Sequence, residues 1–325
     1  MSETSRKYVG AGCPRKCTNE PVTLTYTTVI PTKDRADRAR AAVKEMLAQT
    51  RRPERIVVVD ASEPPLEPGA DLREAIRDAD VELTVLHAPP STAAQRNRGV
   101  EDAETPLVLL LDDDVKLQPD YVEVLLDRWQ RDGLEAFGAI VGVPEYMPPQ
   151  GRLARALRRA LMLHYQAPNG EATSFRRSRK LRLVSRPSHE VTVPACGAGY
   201  GLFRTDLLRR HPFDERFPGY APGEDLDMSS RLAGDAPILE VPSVRYLHEW
   251  DPRERTSPTR WHQRGRRETY FRLRHLDRSA LSRAAFALSL LAETGIAAVE
   301  SVRERDRRHV VGFVRGALQT LRERD

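Results

Sequence analysis

Short apolar runs alternate with amphipathic stretches through the first part of the chain. The apolar runs are rich in Val, Ile, Leu and Thr, which favours buried strands, and the stretches between them have helical spacing. Ser91 is placed to cap the third helix, while Pro119 and Gly133 suit the first turn and the end of the fourth. The pattern predicts strands at 22–30, 55–60, 81–87 and 106–112, and helices at 37–50, 71–79, 91–103 and 119–133.

This alternation is typical of βαβ units, and it predicts an α/β fold whose mostly parallel, Rossmann-like sheet is flanked by helices. After a further strand at 136–143, Pro, Arg and Ser dominate residues 144–190. We expect a mobile insertion there, with a helix near 152–165 and a strongly basic stretch at 175–186. Beyond it the pattern predicts a strand at 191–204, a loop leading into a helix at 213–233, and amphipathic helix at 280–325.

Acidic residues follow two of the predicted strands at the point where each strand ends. Asp60 closes the run RIVVVD, and Asp112, Asp113 and Asp114 close the run LVLLLDDD. Ligands of parallel α/β sheets bind beyond the carboxyl ends of the strands. Adjacent carboxylates also repel one another unless water or a cation separates them. We therefore expect Asp60 and the three aspartates to share the functional edge of the sheet.

The three aspartates are candidates for holding a divalent cation. In an extended segment Asp112 and Asp114 point to the same side and Asp113 points away. Two converging carboxylates favour Mg²⁺ or Mn²⁺, and His248, after the strand-like SVRYL, is a candidate for an additional ligand. The alternatives are an acidic strand end that lies in water and a structural histidine.

Two further motifs lie in the second half of the chain. Glu224 and Asp225 precede a predicted helix, where acids often serve only as caps, but the preceding Pro/Gly-rich loop could present a general base to a substrate. The run GAGYGLFR alternates glycines around Gly199 in a strand-like context. Glycine at such positions usually marks the close approach of backbone or ligand.

Composition and charge limit the cellular compartments and the kinds of partner that we expect for this chain. The 325 residues carry a net charge of +5, which favours anionic partners or reflects a solvated arginine-rich surface. The three cysteines, Cys13, Cys17 and Cys196, do not complete a zinc motif, and we expect free thiols in a reducing cytoplasm. No signal peptide is visible, and Glu293 interrupts the most apolar stretch, 284–299. We therefore expect a cytoplasmic protein without a membrane span.

The motifs taken together resemble those of family 2 glycosyltransferases. TVIPTKDR, VVVDAS, QRNRG, LLLDDDVKLQPDY, GAGYGLFR, FDERFPGYAPGEDLDMSSRL and YLHEW occur in the family's order and spacing, from residue 22 to about 275. The resemblance implies a GT-A fold and transfer of a sugar from a nucleotide-diphosphate sugar to an acceptor hydroxyl with inversion. It also implies a role in surface polysaccharide or glycolipid assembly, with a UDP-sugar favoured as donor and a saccharide or a lipid-linked molecule as acceptor.

The resemblance also assigns roles to individual residues. Asp225 corresponds to the catalytic base, with Glu224 beside it, and a bound Mn²⁺ or Mg²⁺ is implied at Asp112, Asp114 and His248. The implied donor-binding residues are Pro31, Thr32, Asp34, Arg35, Asp60, Arg96, Asn97, Asp112, Asp113 and Gly199. Many family members have Asn where Asp34 stands. The motif QRGRRE (263–268) departs from the signature of processive synthases, which argues against a polymerase.

The resemblance suggests three segments: a flexible tail at 1–20, a GT-A domain at 21–275 and an amphipathic helical extension at 276–325. Within the domain, residues 21–143 would bind the nucleotide and residues 144–275 the acceptor. The basic apolar helix at 305–325 either contacts an anionic membrane or packs on the protein's own core. The alternatives to a glycosyltransferase are a sugar-phosphate nucleotidylyltransferase and a basic nucleic-acid-binding protein. No nucleic-acid-binding motif appears, so we expect no nucleic-acid partner.

Overall fold

The computed structural model describes residues 24–146, 151–163, 165–167, 173–184, 187–216, 223–249 and 258–322. The strands are β1 Tyr26–Thr32, β2 Arg55–Asp60, β3 Glu82–His87, β4 Leu107–Leu111, β5 Val115–Leu117, β6 Ala139–Pro144, β7 Tyr165–Ala167, β8 Ser174–Phe175, β9 Leu181–Val184, β10 Val191–Val193, β11 Tyr200–Arg204 and β12 Ile238–His248. The helices are α1 Ala36–Leu47, α2 Ala70–Ala79, α3 Thr92–Asp102, α4 Tyr121–Asp132, α5 Arg152–Ala160, α6 Thr205–Arg210, α7 Glu224–Leu232, α8 Pro258–His275, α9 Ala280–Arg303 and α10 Arg308–Arg322, with a 3-10 turn at Leu134–Ala136.

A nine-stranded sheet forms the centre of the molecule. Its order is β10-β12-β6-β11-β4-β1-β2-β3, and β5 pairs with the far end of β12. The strands β3, β2, β1 and β4 are parallel, and β6 and β12 run the same way, while β5, β10 and β11 run against them. The predicted α/β fold with a mostly parallel sheet is therefore confirmed.

Both faces of the sheet are covered, which explains the continuous apolar runs of β1, β2 and β4. One face packs Ile30, Ile56 and Leu109 against α1 and α4. The other face packs residues such as Val57 and Leu110 against α3, α6 and α7. Side chains alternate across each strand, so one run supplies both layers of the core.

Most predicted elements of the first half are present, with shifted ends. Ser91 caps α3 as predicted, because its hydroxyl accepts a hydrogen bond from the Ala94 amide. The prediction for Pro119 is wrong: α4 begins at Tyr121, and the Pro119 carbonyl accepts a hydrogen bond from Thr50 instead. Gly133 ends α4 with a φ of 93°, a left-handed conformation that favours glycine.

The expected insertion is more regular than its composition suggested. The predicted helix at 152–165 ends at Ala160, and β7, β8 and β9 form a separate three-stranded sheet, so the described part of 144–190 is not a structureless loop. The predicted strand at 191–204 is two strands, since β10 pairs with β12 whereas β11 pairs with β4 and β6. The sequence pattern did not show the break between them, at which the chain moves from the edge of the sheet to its centre.

The C-terminal helices pack on one another. Phe313 of α10 is fully buried against Trp261 of α8, and Gly265 and Gly316 lie where the two helix backbones touch. The predicted amphipathic helix at 305–325 thus partly packs on the protein itself. By length and composition, α9 is long and apolar enough to cross a membrane, with Glu293 inside it. The predicted tail at 1–20, with Cys13 and Cys17, lies outside the described residues; Cys196 is a buried free thiol.

Candidate active site

A cleft of about 400 Å³ opens at the carboxyl edge of the sheet, between the ends of β1 and β4. The chain turns to opposite sides of the sheet at this point, because β2 and β3 follow β1 on one side and β4 lies on the other. Such a switch point is where α/β sheets bind ligands. The cleft is lined by Pro31, Thr32, Lys33, Asp34, Arg35, Pro90, Ser91, Thr92, Gln95, Asp112, Asp113, Asp114 and His248.

Asp60 lies at the same edge but is buried beneath the cleft wall. One of its oxygens accepts hydrogen bonds from the backbone and hydroxyl of Ser62, and the other accepts from the Leu66 amide at 2.7 Å. The Ser62 hydroxyl in turn accepts a hydrogen bond from the Asp34 amide. Asp60 therefore holds the loop after β2 and, through Ser62, fixes the position of exposed Asp34. A direct contact between Asp60 and a nucleobase stays a prediction.

Gln95 is a structural determinant of the cleft that the sequence reasoning quoted but did not single out. Its amide nitrogen donates 2.7 Å hydrogen bonds to the carbonyls of Thr32 and Val59, at the ends of β1 and β2. The buried side chain thus joins the carboxyl ends of two neighbouring strands, and its own amide group is paired as a buried polar group must be. The available signal was a polar residue on the face of α3 that otherwise carries Ala93, Gly99 and Val100.

The three aspartates form a turn between β4 and β5, so the extended backbone assumed for them is wrong. Asp113 points inward: its carboxylate accepts a 2.7 Å hydrogen bond from Thr32 and pairs with Arg35 at 3.2 Å. Burial raises the pKa of Asp113 to about 6, despite the opposing effects of Arg35 and Thr32. The turn arises because β5 leaves the sheet edge to pair with β12, which side-chain alternation alone does not predict.

Asp114 and His248 meet on the opposite wall. The imidazole Nε2 lies 3.2 Å from Asp114 Oδ1, since β12 carries His248 beside β5. Burial opposes ionisation of Asp114, but the hydrogen bond to His248 and the charges of Arg35 and Arg38 outweigh it and lower the pKa. Asp114 is therefore an anion at neutral pH, next to an imidazole that could share a ligand with it.

The donor set at this edge fits a divalent cation in its chemistry. Carboxylate oxygens and one imidazole nitrogen are ligands that Mn²⁺ accepts, and Asp112, Asp114 and His248 line the same cleft. Across the described residues, no three such side chains converge closely enough to form a ready metal site. The carboxylate of Asp112 is instead engaged by Arg96, so the predicted metal ligands are neighbours without being a completed set.

Arg96 joins the aspartate turn to the second acidic motif. This buried guanidinium on α3 donates at 2.6 Å to Asp112 and at 2.8 Å to Glu224, the first residue of α7. Gly199 of the preceding motif lies against Asp112: its carbonyl accepts the Asp112 amide, and a methyl group on it would overlap the carboxylate. The alternating glycines predicted a close approach of backbone or ligand, and at Gly199 the structure shows the Asp112 side chain in that place.

Glu224 and Asp225 differ in their environments. Glu224 is 3% exposed, and burial raises its pKa to about 8 in spite of Arg96. Asp225 is half-buried, and its Oδ1 accepts hydrogen bonds from the amides of Gly223 and Leu226. Burial also raises the pKa of Asp225. Of the two acids, Asp225 is the more exposed.

Two sets of predicted residues are placed elsewhere. Asn97 holds the segment after α6 through hydrogen bonds with Phe213 and Glu215, and it lines a second cavity. Among the arginines of the motif at 263–268, Arg264 pairs with Glu293 at 2.9 Å. Arg267 is buried, and its charge slightly opposes the rise that burial causes in the pKa of Glu224. The structure thus separates Asn97 from the cleft and brings Arg267 close to the acidic pair.

The comparisons with known proteins assign the class. The family model for glycosyl transferase family 2 matches residues 27–208, and the chain belongs to this family. It is a nucleotide-sugar-dependent glycosyltransferase with a GT-A fold. The predicted resemblance is confirmed, and the nucleotidylyltransferase alternative is wrong. No curated protein matches the chain.

Solved structures of distant sequence share the fold. The mannosyltransferase PcManGT from Pyrobaculum calidifontis, in complex with GDP-Man and Mn²⁺, is 15% identical with a TM-score of 0.51, over 94% of this chain and 90% of that one. GalNAc-T7 with UDP, GalNAc and Mn²⁺ is 14% identical with a TM-score of 0.54, over 88% and 59%. TarS 1-349 of S. aureus in complex with UDP is 16% identical with a TM-score of 0.50, over 82% and 71%.

Proposed function

We propose that this chain is a metal-dependent, inverting glycosyltransferase that moves a sugar from a nucleotide-diphosphate sugar to an acceptor hydroxyl. The observation that carries the proposal is the buried Arg96, which ties Asp112 at the donor cleft to Glu224 beside Asp225. One side chain thus fixes the distance between the motif that would receive the diphosphate and the motif that would receive the acceptor. Such fixed spacing is what a direct displacement between two bound substrates requires.

Asp225 is proposed as the general base. It would take the proton of the acceptor hydroxyl while that oxygen bonds to the anomeric carbon and the bond to the diphosphate oxygen breaks. Inversion follows from this single displacement. The raised pKa of Asp225 suits the role, because a base works best when its pKa approaches the working pH. Glu224, buried behind it, would anchor Arg96 and take no proton from substrate.

The donor is proposed to lie in the cleft, with its nucleoside between the loop after β1 and Ser91, and its diphosphate towards the aspartate turn. Asp112, Asp114 and His248 would hold Mn²⁺ or Mg²⁺, which when bound neutralises the leaving diphosphate. Arg35 and Arg38 lie beside Asp114 and would add positive charge there. Their present pairing with Asp114 would exchange for contacts with the donor.

We favour a UDP-sugar as donor and a saccharide or a lipid-linked acceptor, in surface polysaccharide or glycolipid assembly at the cytoplasmic side of a membrane. Support for the donor comes from the UDP complexes of TarS and GalNAc-T7, whereas PcManGT was solved with GDP-Man. The family membership supports transfer to a hydroxyl. No contact with nucleic acid is proposed.

The proposal is tested by thermal unfolding with UDP, GDP, dTDP, CMP and ADP, each with and without Mn²⁺. A ligand that binds the folded state raises the unfolding temperature. We expect one diphosphate to do so only with Mn²⁺, and Asp114→Ala to abolish the shift. Asp120→Ala, which removes an acid near the next helix, is the matched control and should keep it. A folded wild type that responds to no nucleotide would overturn the proposal.

A further inference from the structure

Helix α9 buries polar side chains and exposes apolar ones, unlike an ordinary surface helix. A helix of a globular protein normally buries its apolar stripe and exposes its polar face. The buried positions of α9 are mixed, and four of the seven are polar: Ser282, Ala285, Phe286, Ser289, Glu293, Ala297 and Ser301. Its exposed positions from 284 to 302 are all apolar or glycine: Ala284, Ala287, Leu288, Leu291, Gly295, Val299 and Val302.

The outward apolar side chains form a long stripe. Leu281, Leu288, Leu291 and Val302 are 65%, 40%, 71% and 79% exposed, and a helix places them along about 32 Å. A continuous exposed apolar surface of this length on a folded protein indicates a partner. The scatter of single exposed leucines that is normal on protein surfaces does not produce such a stripe.

The inner face of α9 is fixed to the protein by charges. Glu293 pairs with Lys180 at 3.0 Å and with Arg264 at 2.9 Å, and buried Arg272 donates to Ser289. Crossing a bilayer would break these pairs and bring Glu293 into hydrocarbon, which is costly. The helix is therefore long and apolar enough to span a membrane but is built to lie with one face outward.

A second element of the same character is α5. None of its described side chains is buried, and Leu153 and Leu157, one turn apart, are 83% and 57% exposed. The remaining positions carry four arginines and no acid. A short basic helix with an unpacked apolar face matches the composition of helices that lie in a membrane interface.

One loop supports both elements. Arg176, just after β8, donates to the carbonyl of Arg159 at the end of α5, and Ser178 donates to the Met162 carbonyl at 2.7 Å. Two residues later Lys180 forms its ion pair with Glu293 of α9. Residues 176–180, within the basic stretch that the sequence marked, therefore contact both helices that carry exposed apolar surfaces.

We propose that the outer face of α9, together with α5, docks on an anionic lipid surface. The arginines of α5 complement anionic headgroups, while the leucines of both helices enter the interface. A second copy of the chain fits this face less well, because neither α5 nor the exposed stripe of α9 carries an acid that would pair with the α5 arginines. The proposal moves membrane contact away from α10, whose Phe313 is buried against α8.

The test measures co-flotation of the full chain with vesicles, without nucleotide, so that its outcome is independent of the proposed transferase activity. Vesicles of phosphatidylcholine alone are compared with vesicles that also contain phosphatidylglycerol, at low and high salt. We expect binding to the anionic vesicles that weakens with salt, because headgroup attraction is screened. Equal binding to both kinds of vesicle, or none to either, would overturn the proposal.

Three paired variants locate the contact. Leu288→Ser with Leu291→Ser on α9, and Leu153→Ser with Leu157→Ser on α5, should each weaken binding about tenfold or more. Leu318→Ser with Leu321→Ser on α10 is the matched control, because these leucines are also exposed, and it should bind as the wild type does. Loss of binding in the α10 pair alone would refute the assignment.

Sedimentation equilibrium of the same proteins separates lipid from self-association. We expect a monomer for the wild type and for all three pairs, with unchanged circular dichroism, since exposed leucines are replaced. A wild-type dimer that the α9 pair dissociates, combined with no vesicle binding, would show that a second copy covers this face and would refute the lipid proposal.

Discussion

Two regions of the molecule bury carboxylates, and they do so with opposite results. At the cleft, burial raises the pKa of Glu224 to about 8 and that of Asp113 to about 6, because Arg96 and Arg35 compensate it only in part. Beneath α9, burial also opposes ionisation of Glu268, but Lys180 and Arg272 outweigh it and lower the pKa to about 2.

For these three acids the direction of the pKa shift separates two uses of a buried charge, whereas Asp114 of the cleft has a lowered pKa because His248, Arg35 and Arg38 surround it. Beneath α9 the charges are matched, so the ions serve to hold helices together. At the cleft they are left incompletely matched, which costs stability but keeps acids ready to bind a cation or take a proton. Perturbed acids in a cleft are the usual sign of a functional site. The comparison therefore assigns a structural role to the carboxylates beneath α9 and a functional role to those at the edge of the sheet.

The largest expected effect is that of Asp225→Asn at the cleft. Removing the proposed base should lower the turnover rate by about a thousandfold while nucleotide binding persists. The release of nucleoside diphosphate in the presence of acceptor measures the rate. Asp235→Asn, an exposed acid just after α7, is the control and should retain wild-type turnover. A turnover of Asp225→Asn close to wild type would remove Asp225 from the mechanism.

On the structural side, Glu293→Ala should destabilise the fold by about 3 kcal/mol, because Lys180 is left buried without one of its partners. Urea unfolding measures the change. Glu300→Ala, on the same helix but partly exposed and 4.0 Å from Arg303, should cost less than about 1 kcal/mol. Equal losses in the two variants would contradict a structural role for the buried pair.

Two glycines sharpen the contrast. A methyl group at Gly316 would overlap the backbone carbonyl of His262, so Gly316→Ala should lower stability by about 1–3 kcal/mol without changing nucleotide affinity. A methyl group at Gly199 would displace the Asp112 side chain, so Gly199→Ala should weaken metal-dependent nucleotide binding about tenfold with a smaller loss of stability. Calorimetric titration measures the nucleotide affinity, and urea unfolding measures the stability. Weaker nucleotide binding in Gly316→Ala than in Gly199→Ala would contradict the comparison.

The smallest effect, when it is expressed per pH unit, is the pH dependence of the free energy of unfolding. Glu224 binds its proton more tightly in the folded state, so the free energy of unfolding should fall as pH rises from 4.5 to about 8. The slope from this group is at most about 1.4 kcal/mol per pH unit. Glu224→Gln should flatten the curve between about pH 6 and 8, above the range of Asp113.

Glu268 predicts the opposite sign in an acid range. Its pKa is lowered from 4.5 to about 2, so the stability that it contributes is lost as pH falls through that window. Glu268→Gln should therefore flatten the unfolding curve at acid pH and leave the range above pH 6 unchanged. Unfolding curves in which both variants alter the same pH range would contradict the distinction between the two regions.

The sequence by itself was sufficient for the α/β class, for the presence of the first four strands and for the position of the acids at strand ends. Each of these depends on local information: an apolar run long enough for a strand, a helical repeat, or a cap such as Ser91. The motif set was also sufficient for the family, since its order and spacing are independent of how the side chains fold. Residues 1–23 lie outside the described structure, and the predicted domain boundaries stay predictions.

Only the tertiary structure decided which acids share a partner and which face of α9 is exposed to solvent. The aspartates form a turn because β12, far along the chain, pairs with β5, and Arg96 meets Glu224 across 128 positions of sequence. Likewise α9 is amphipathic in sequence, but Lys180 and Arg264 hold its Glu293 on the buried side. A local pattern specifies that two faces differ; long-range charge pairing determines which of them is buried.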